Sequence, residues 1–313
     1  KLREEGPGTA RVTTSQDALS AANAVLTKGS RYALKADCTT AESSVAAGEA
    51  LLICQSLEAQ NLQMLDQGAA SAKSFALSFA VSSPKSGTHC VALLQGDANR
   101  YYIAEYTVAS ADTFEHFKII IPGDTSGQIN NDTGEGMRIT FPLTAGTNFH
   151  GTAGSWANGE EYATSNQQNL MDNTSNNWQL TAVQLEIGDV ATTFEREDYG
   201  TTFAKCLRYY YELAGANNTA LPTGSQTATT GGSAYYQFPV EMRAAPTLAY
   251  SNLSHFGVQP DMAQQNPDAI TIGYTTTSSG WIAHTFSADA AKGLTYRFYS
   301  LSASARLNFS ADL

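Results

Sequence analysis

The sequence predicts an all-β protein: a jelly-roll β-sandwich followed by a smaller C-terminal β-sandwich, with one or two short helices. Three observations predict it. Apolar residues recur at every second position in many short stretches. Spacers rich in Gly, Asn and Asp separate those stretches. Helical spacing is confined to a single segment.

That segment comes early. Leu57, Met64 and Leu65 recur near helical spacing across residues 55–65, with Leu62 flanking. They predict a short helix packed on the sandwich and covering a sheet edge. Alternation follows at Phe75, Leu77, Phe79 and Val81, then at Phe117, Ile119 and Ile121. It returns at Met137, Ile139, Phe141 and Leu143, and at Trp178, Leu180 and Ala182. Strand side chains point alternately to opposite faces, so each set is expected to line one buried face. SPKSG (83–87), PGDTSG (122–127) and NNDTGEG (130–136) predict the turns between them. Residues 147–177 form a polar connection holding Trp156 and Tyr162.

The expected boundary lies near Tyr199, giving a jelly roll over 1–198 and a C-terminal β-sandwich over 199–313. Alternating sets in the second block are Tyr236, Phe238, Val240; Ile270, Ile272, Tyr274; and Leu294, Tyr296, Phe298. Loops at 223–233 and 259–268 separate them, and no repeat of fixed period is present. A length of 313 residues suits two ordinary domains.

Charged residues make up only 15% of the chain, against about 25% in soluble domains. Neutral polar residues replace them, and such surfaces cost less to desolvate when subunits pack. The net charge of −11 argues against nucleic acid and anionic lipid as partners. No apolar run is long enough for membrane insertion, and nothing resembles a signal peptide. The chain opens on Lys1 rather than Met, which reads as a processed or incomplete start. Cys54 (in LLIC) and Cys90 (in CVALL) read as buried free thiols, and none of the four cysteines forms a C-x-x-C pair.

Signals for chemistry are weak. The five histidines show neither H-x-H nor H-E-x-x-H spacing, and no nucleophile elbow or phosphate loop occurs. Asp124, Asp132 and Glu135 supply hard oxygens, but without the ligand alternation of a calcium loop, so they read as a turn with solvated acids. Glu160, Glu161, Glu186 and Asp189 are the carboxylates a glycosidase could use, and nothing in the sequence pairs them. No catalytic residue, metal or cofactor is expected. Trp156 and Tyr162 are the candidate glycan contacts, because their loop is polar and their rings can stack on sugar faces.

The stretch NNWQLTAVQLEIGDVATTFEREDYGTTFAKCLRYYYEL, residues 176–213, carries a resemblance. It is similar to a junction in a widespread group of bacteriophage tail-fibre and virion appendage proteins. There a strand ending in QLE.G..AT.FE leads into Y...L..C.RYY. The matching residues are Trp178, Gln184, Leu185, Glu186, Gly188, Ala191, Thr192, Phe194 and Glu195, then Tyr199, Cys206, Arg208, Tyr209 and Tyr210. Residues 73–94, 117–156, 238–248 and the ending FSADL resemble further segments of that group in the same order. Ala80 stands where the group often has Trp, and Thr193 where Pro is common. The resemblance implies a jelly roll like those of carbohydrate-binding modules, then a small sandwich. It also implies N-terminal strands upstream of Lys1. The implied role is a virion structural protein, a tail fibre or other appendage, without enzymatic activity and taking part in host attachment. Its implied partners are further copies of itself in a homotrimer, other virion proteins and a host cell-surface glycan. A polysaccharide-binding receptor module or a capsule depolymerase is the alternative. Phe194 and Trp178 are expected in the core, and Gly188 at a tight turn.

Overall fold

The computed structural model describes residues 1–6, 8–21, 23, 29–259, 264–287, 293 and 295–313. Leu294 of the last alternating set, and part of the 259–268 loop, lie outside the described residues. The chain divides into two compact units, Lys1–Arg196 and Glu197–Leu313.

Strands of the first unit are β1 (Leu2–Glu5), β2 (Arg11–Ala18), β3 (Tyr32–Thr40), β4 (Ala50–Glu58), β5 (Phe75–Ser82), β6 (Gly87–Gln95), β7 (Arg100–Val108), β8 (Glu115–Ile121), β9 (Glu135–Ala145), β10 (Trp156–Asn158) and β11 (Asn177–Ile187). They form two antiparallel sheets, ordered β1-β4-β9-β6-β7-β10 and β2-β3-β11-β5-β8. The jelly-roll core lies between them. Phe79 of β5, Tyr106 of β7, Phe141 of β9 and Trp178 of β11 are all buried there.

β5, β6 and β9 are buried on nearly every residue, not on alternate ones. The outer face of the six-stranded sheet carries a second apolar cluster, in which Leu52, Cys54, Cys90 and Ile103 meet Tyr162 and Ala163. Residues from the polar 147–177 connection thus cover that face. This is why LLIC and CVALL are continuously apolar: a strand covered on both sides has no polar face to alternate with. Cys38, Cys54 and Cys90 are buried free thiols, and Cys206 is exposed.

Three sequence expectations need correction here. The helix expected over 55–65 begins later, because β4 runs on to Glu58. Ala59–Leu65 is a 3₁₀ helix that buries Ala59, Leu62 and Leu65, the three-residue spacing of that helix type, while Met64 is exposed.

Ala182 does not share a face with Trp178 and Leu180. A β-bulge between Thr181 and Gln184 puts Ala182 at φ 51° and turns it outward, against Ala33, Ala80 and Phe114. The core face resumes at Leu185.

Phe194 is not in the inter-sheet core either. After Gly188 (φ 110°) the chain folds back over the outer face of the five-stranded sheet. Lys118 Nζ donates to Ala191 O at 3.0 Å, and Glu195 N to Gln184 Oε1 at 2.6 Å. Phe194 then packs, half-buried, on the cluster containing Ala80 and Ala182. The small Ala80 lies under this cover and is fully buried.

The second unit starts with helix α1 (Tyr199–Leu207), capped by Asp198, whose carboxylate accepts from Thr201 N at 3.0 Å. Its strands are β12 (Tyr210–Ala214), β13 (Gly224–Ala228), β14 (Gly231–Gln237), β15 (Thr247–Tyr250), β16 (Phe256–Gln259), β17 (Ala269–Gly273), β18 (Ser279–Thr285), β19 (Thr295–Ser300) and β20 (Arg306–Ser310). They form a three-stranded sheet, β12-β20-β15, and a six-stranded sheet, β16-β19-β13-β14-β18-β17. Tyr236 of β14 stacks on Phe309 of β20 at 5.1 Å between ring centroids, joining the two sheets. Val240 lies past the end of β14 and is half-buried. Tyr274 breaks the alternating set of Ile270 and Ile272: it follows the last residue of β17, has φ 47° and is 93% exposed.

Candidate functional site

The two expected glycan contacts both serve the fold. Tyr162 is 1% exposed. Its ring stacks on Phe149 at 5.0 Å, and its hydroxyl donates to Glu160 Oε1 at 3.0 Å. It presents no face to a sugar. Trp156 opens the short edge strand β10, paired opposite Tyr102 of β7. Its ring packs 5.5 Å from Tyr102 against the main core, and Nε1 donates to Pro122 O at 2.6 Å. Reading 147–177 as an open loop missed that its apolar residues have a sheet face to cover.

Several of the carboxylates singled out by sequence are tied up locally. Glu160 accepts from Arg138 Nη2 at 2.8 Å and from Arg3 Nη2 at 3.3 Å, which holds it at the six-stranded sheet. Burial pushes the Glu161 carboxyl above its ordinary range. Glu186, on β11 of the other sheet, accepts from Thr192 N at 3.1 Å, and the Thr192 hydroxyl bond holds its pKa down. Asp189 is exposed. Asp124 is 2% exposed and takes a two-pronged bond from Arg100, with Nη2 to Oδ1 at 2.9 Å. Asp132 closes its own turn through Gly134 N, and Glu135 pairs with Ser56 and Arg138.

Buried histidines are core residues of the same kind. His89 Nε2 donates to Lys85 O at 3.0 Å, and burial lowers its pKa. His284 sits among Phe286, Tyr296 and Phe298, where burial pushes its pKa down to about 4.

A different place on the molecule has the form of a binding site. The outer face of the second unit's six-stranded sheet carries a row of small residues in register: Ser225 of β13 opposite Ser233 of β14, and Ser233 opposite Ala283 of β18. The next row holds Tyr235 opposite Trp281, and Trp281 opposite Gly273. Small residues beside large ones leave a trough of about 540 Å³, lined among others by Ser225, Thr227, Ser233, Gly273, Tyr274 and Trp281. Trp281 is 39% exposed and meets Tyr235 edge-on at 5.7 Å. A side chain at Gly273 would meet nothing within 4 Å, so the space beside it is open. Among the described residues, no charged one lines the trough. Sequence reading passed over Trp281 because one Trp in SSGWIAHT gives no sign of facing outward. The strict alternation of Gly280, Ile282 and His284 as buried residues was the available signal.

No family model matches the chain, and no curated protein matches it. Among solved structures, the enzymatically active domain of bacteriophage CBA120 tailspike protein 4 is similar over 60% of this chain, at 12% identity and a TM-score of 0.31. The match spans only 19% of that chain. The family 11 carbohydrate-binding module of a cellulosomal cellulase from Clostridium thermocellum is similar over 61% of this chain and 89% of its own, at 14% identity and a TM-score of 0.32. A tandem of family 22 carbohydrate-binding modules from Paenibacillus barcinonensis covers 97% of this chain and 93% of its own, at 8% identity and a TM-score of 0.29. At these values the likenesses assign neither ligand nor role to this chain.

Proposed function

We propose that the chain is a structural protein of a bacteriophage particle, part of a tail fibre or other external appendage, and that it takes part in host attachment without catalysis. In this reading it assembles as a homotrimer and contacts other virion proteins. The observation that carries the reading is the segment 176–213. Its resemblance to appendage proteins falls on residues with definite structural duties. Trp178 fills the inter-sheet core, Gly188 makes the left-handed turn after β11, and Gln184 and Glu186 pin the returning chain. The same stretch then supplies α1 and β12 of the second unit.

Two physical features support it. The exterior is poor in charge, which lowers the desolvation cost of packing subunits together. Of the acids a glycosidase could use, Glu160 is held by Arg138 on one sheet and Glu186 by Thr192 on the other. A second reading, a receptor module for polysaccharide, is favoured by the trough of hydroxyl and aromatic side chains beside Trp281.

Antibodies raised against the purified chain test the proposal. They should label the exterior of particles and slow adsorption to host cells. Purified particles that contain none of this chain by mass spectrometry overturn it.

A further inference from the structure

We propose that the trough beside Trp281 binds a neutral polysaccharide, with a pyranose ring stacked on the indole and its hydroxyls bonded to Ser225, Thr227 and Ser233. The inference rests on the attachment reading for its biology, but its chemistry stands on the trough alone.

The first argument is that the fold gives these aromatics nothing to do. β18 buries Gly280, Ile282 and His284 on its core side, and Trp281 points the other way. Tyr274 is almost wholly exposed and its backbone is left-handed, a conformation a bulky residue adopts at a cost. An aromatic held out on strained backbone needs a reason outside the core.

The second argument is shape. The floor is made of Ser225, Ser233 and Ala283, and Trp281 and Tyr274 rise at one side. The volume of about 540 Å³ falls in the range of small-molecule sites, ~300–1000 Å³. Gly273 leaves room directly next to the indole.

The third argument is chemical matching. A pyranose is apolar on one face, where its C–H groups carry slight positive charge, and polar at its rim. The negative face of an indole suits the first, and hydroxyl side chains suit the second. Trp281 and the Ser225, Thr227 and Ser233 hydroxyls supply both within one trough. Among the described residues no Lys or Arg lines the trough, which disfavours sugars that carry carboxylate or sulfate. A protein partner fits less well, because a stable interface buries ~800 Å² per side around an apolar centre. Here two aromatics give way at once to hydroxyls and small residues.

Affinity electrophoresis of the purified full chain, in gels cast with dextran, mannan, galactan or the acidic polymer hyaluronate, tests this. At least one neutral polymer should retard the chain, and hyaluronate should not. Trp281→Ala and Tyr274→Ala should each weaken retardation at least tenfold, while Trp156→Phe should leave it unchanged. Both trough residues face solvent, so unchanged melting temperatures would show that the variants still fold. Retardation by no neutral polymer overturns the proposal, as does retardation that survives both substitutions. A chain that sediments as an oligomer and falls apart on Trp281→Ala also overturns it, because another copy then occupies the trough. If the chain is present in particles but binds no sugar, only the trough assignment fails. If it binds sugar but is absent from particles, only the attachment reading fails.

Discussion

Phe79 of β5 meets Phe141 of β9 edge-on, with ring centroids 5.0 Å apart at 78°, and this contact ties the two sheets of the first unit together. Tyr106 approaches the same ring at 5.1 Å from β7, and Trp178 lies 5.6 Å from Phe141. Phe79→Ala removes the hub and leaves a cavity that rigid sheets cannot close. The expected loss is about 3–5 kcal/mol. Urea unfolding followed by tryptophan fluorescence reads it, since Trp178 is buried in the same core.

His284 makes the second unit sensitive to acid. Its folded pKa is about 4, against 6.5 for an ordinary imidazole, because burial disfavours the charged form. Above pH 6.5 it is neutral in both folded and unfolded chains, and its contribution is fully present. Below that, the unfolded imidazole takes up a proton that the folded one refuses. Stability is therefore lost progressively from pH 6.5 down to about 4, by at most ~3 kcal/mol. Melting temperatures of the second unit between pH 7 and 5 should fall, and His284→Phe should flatten the curve.

The strands and their core sets were legible because large apolar side chains on the inter-sheet face alternate with small or polar ones on the other, as in β5. Phe75, Leu77, Phe79 and Val81 all line the core as their spacing implies. Two kinds of feature were not legible. The bulge at Ala182 changes parity through backbone geometry, which a side-chain pattern cannot encode. The trough needs Ser225, Ser233, Trp281 and Gly273, from four strands, to come into register. Tyr162 was misread for a related reason: a polar loop was weighed by its composition, while its few apolar residues were covering a sheet.

Gly188 allows backbone strain to be measured alone. Its φ of 110° lies where side chains are disfavoured, yet an added Cβ would touch nothing within 4 Å. Gly188→Ala should cost roughly 1–3 kcal/mol with no steric part. Denaturant midpoints of the first unit check this. Gly154→Ala, also at positive φ in open space, should behave alike.

Asp124 and Arg100 form a buried pair, with 2% and 14% of their side chains exposed. Asp124→Ala strands the guanidinium and also releases Ser126 N, bonded at 3.0 Å. A loss of about 3–5 kcal/mol is expected. Asp132→Ala, on the exposed turn at Gly134, should cost under about 1 kcal/mol. Thermal melts of the two variants side by side give the comparison.

The most direct test of the role assigned to this chain is a reconstruction of intact phage particles detailed enough to place its two sandwiches. The account predicts copies grouped about an axis on an external appendage, with the Trp281 face turned to the surroundings. Density that contains no such sandwiches, in particles from a host producing the chain, would contradict it.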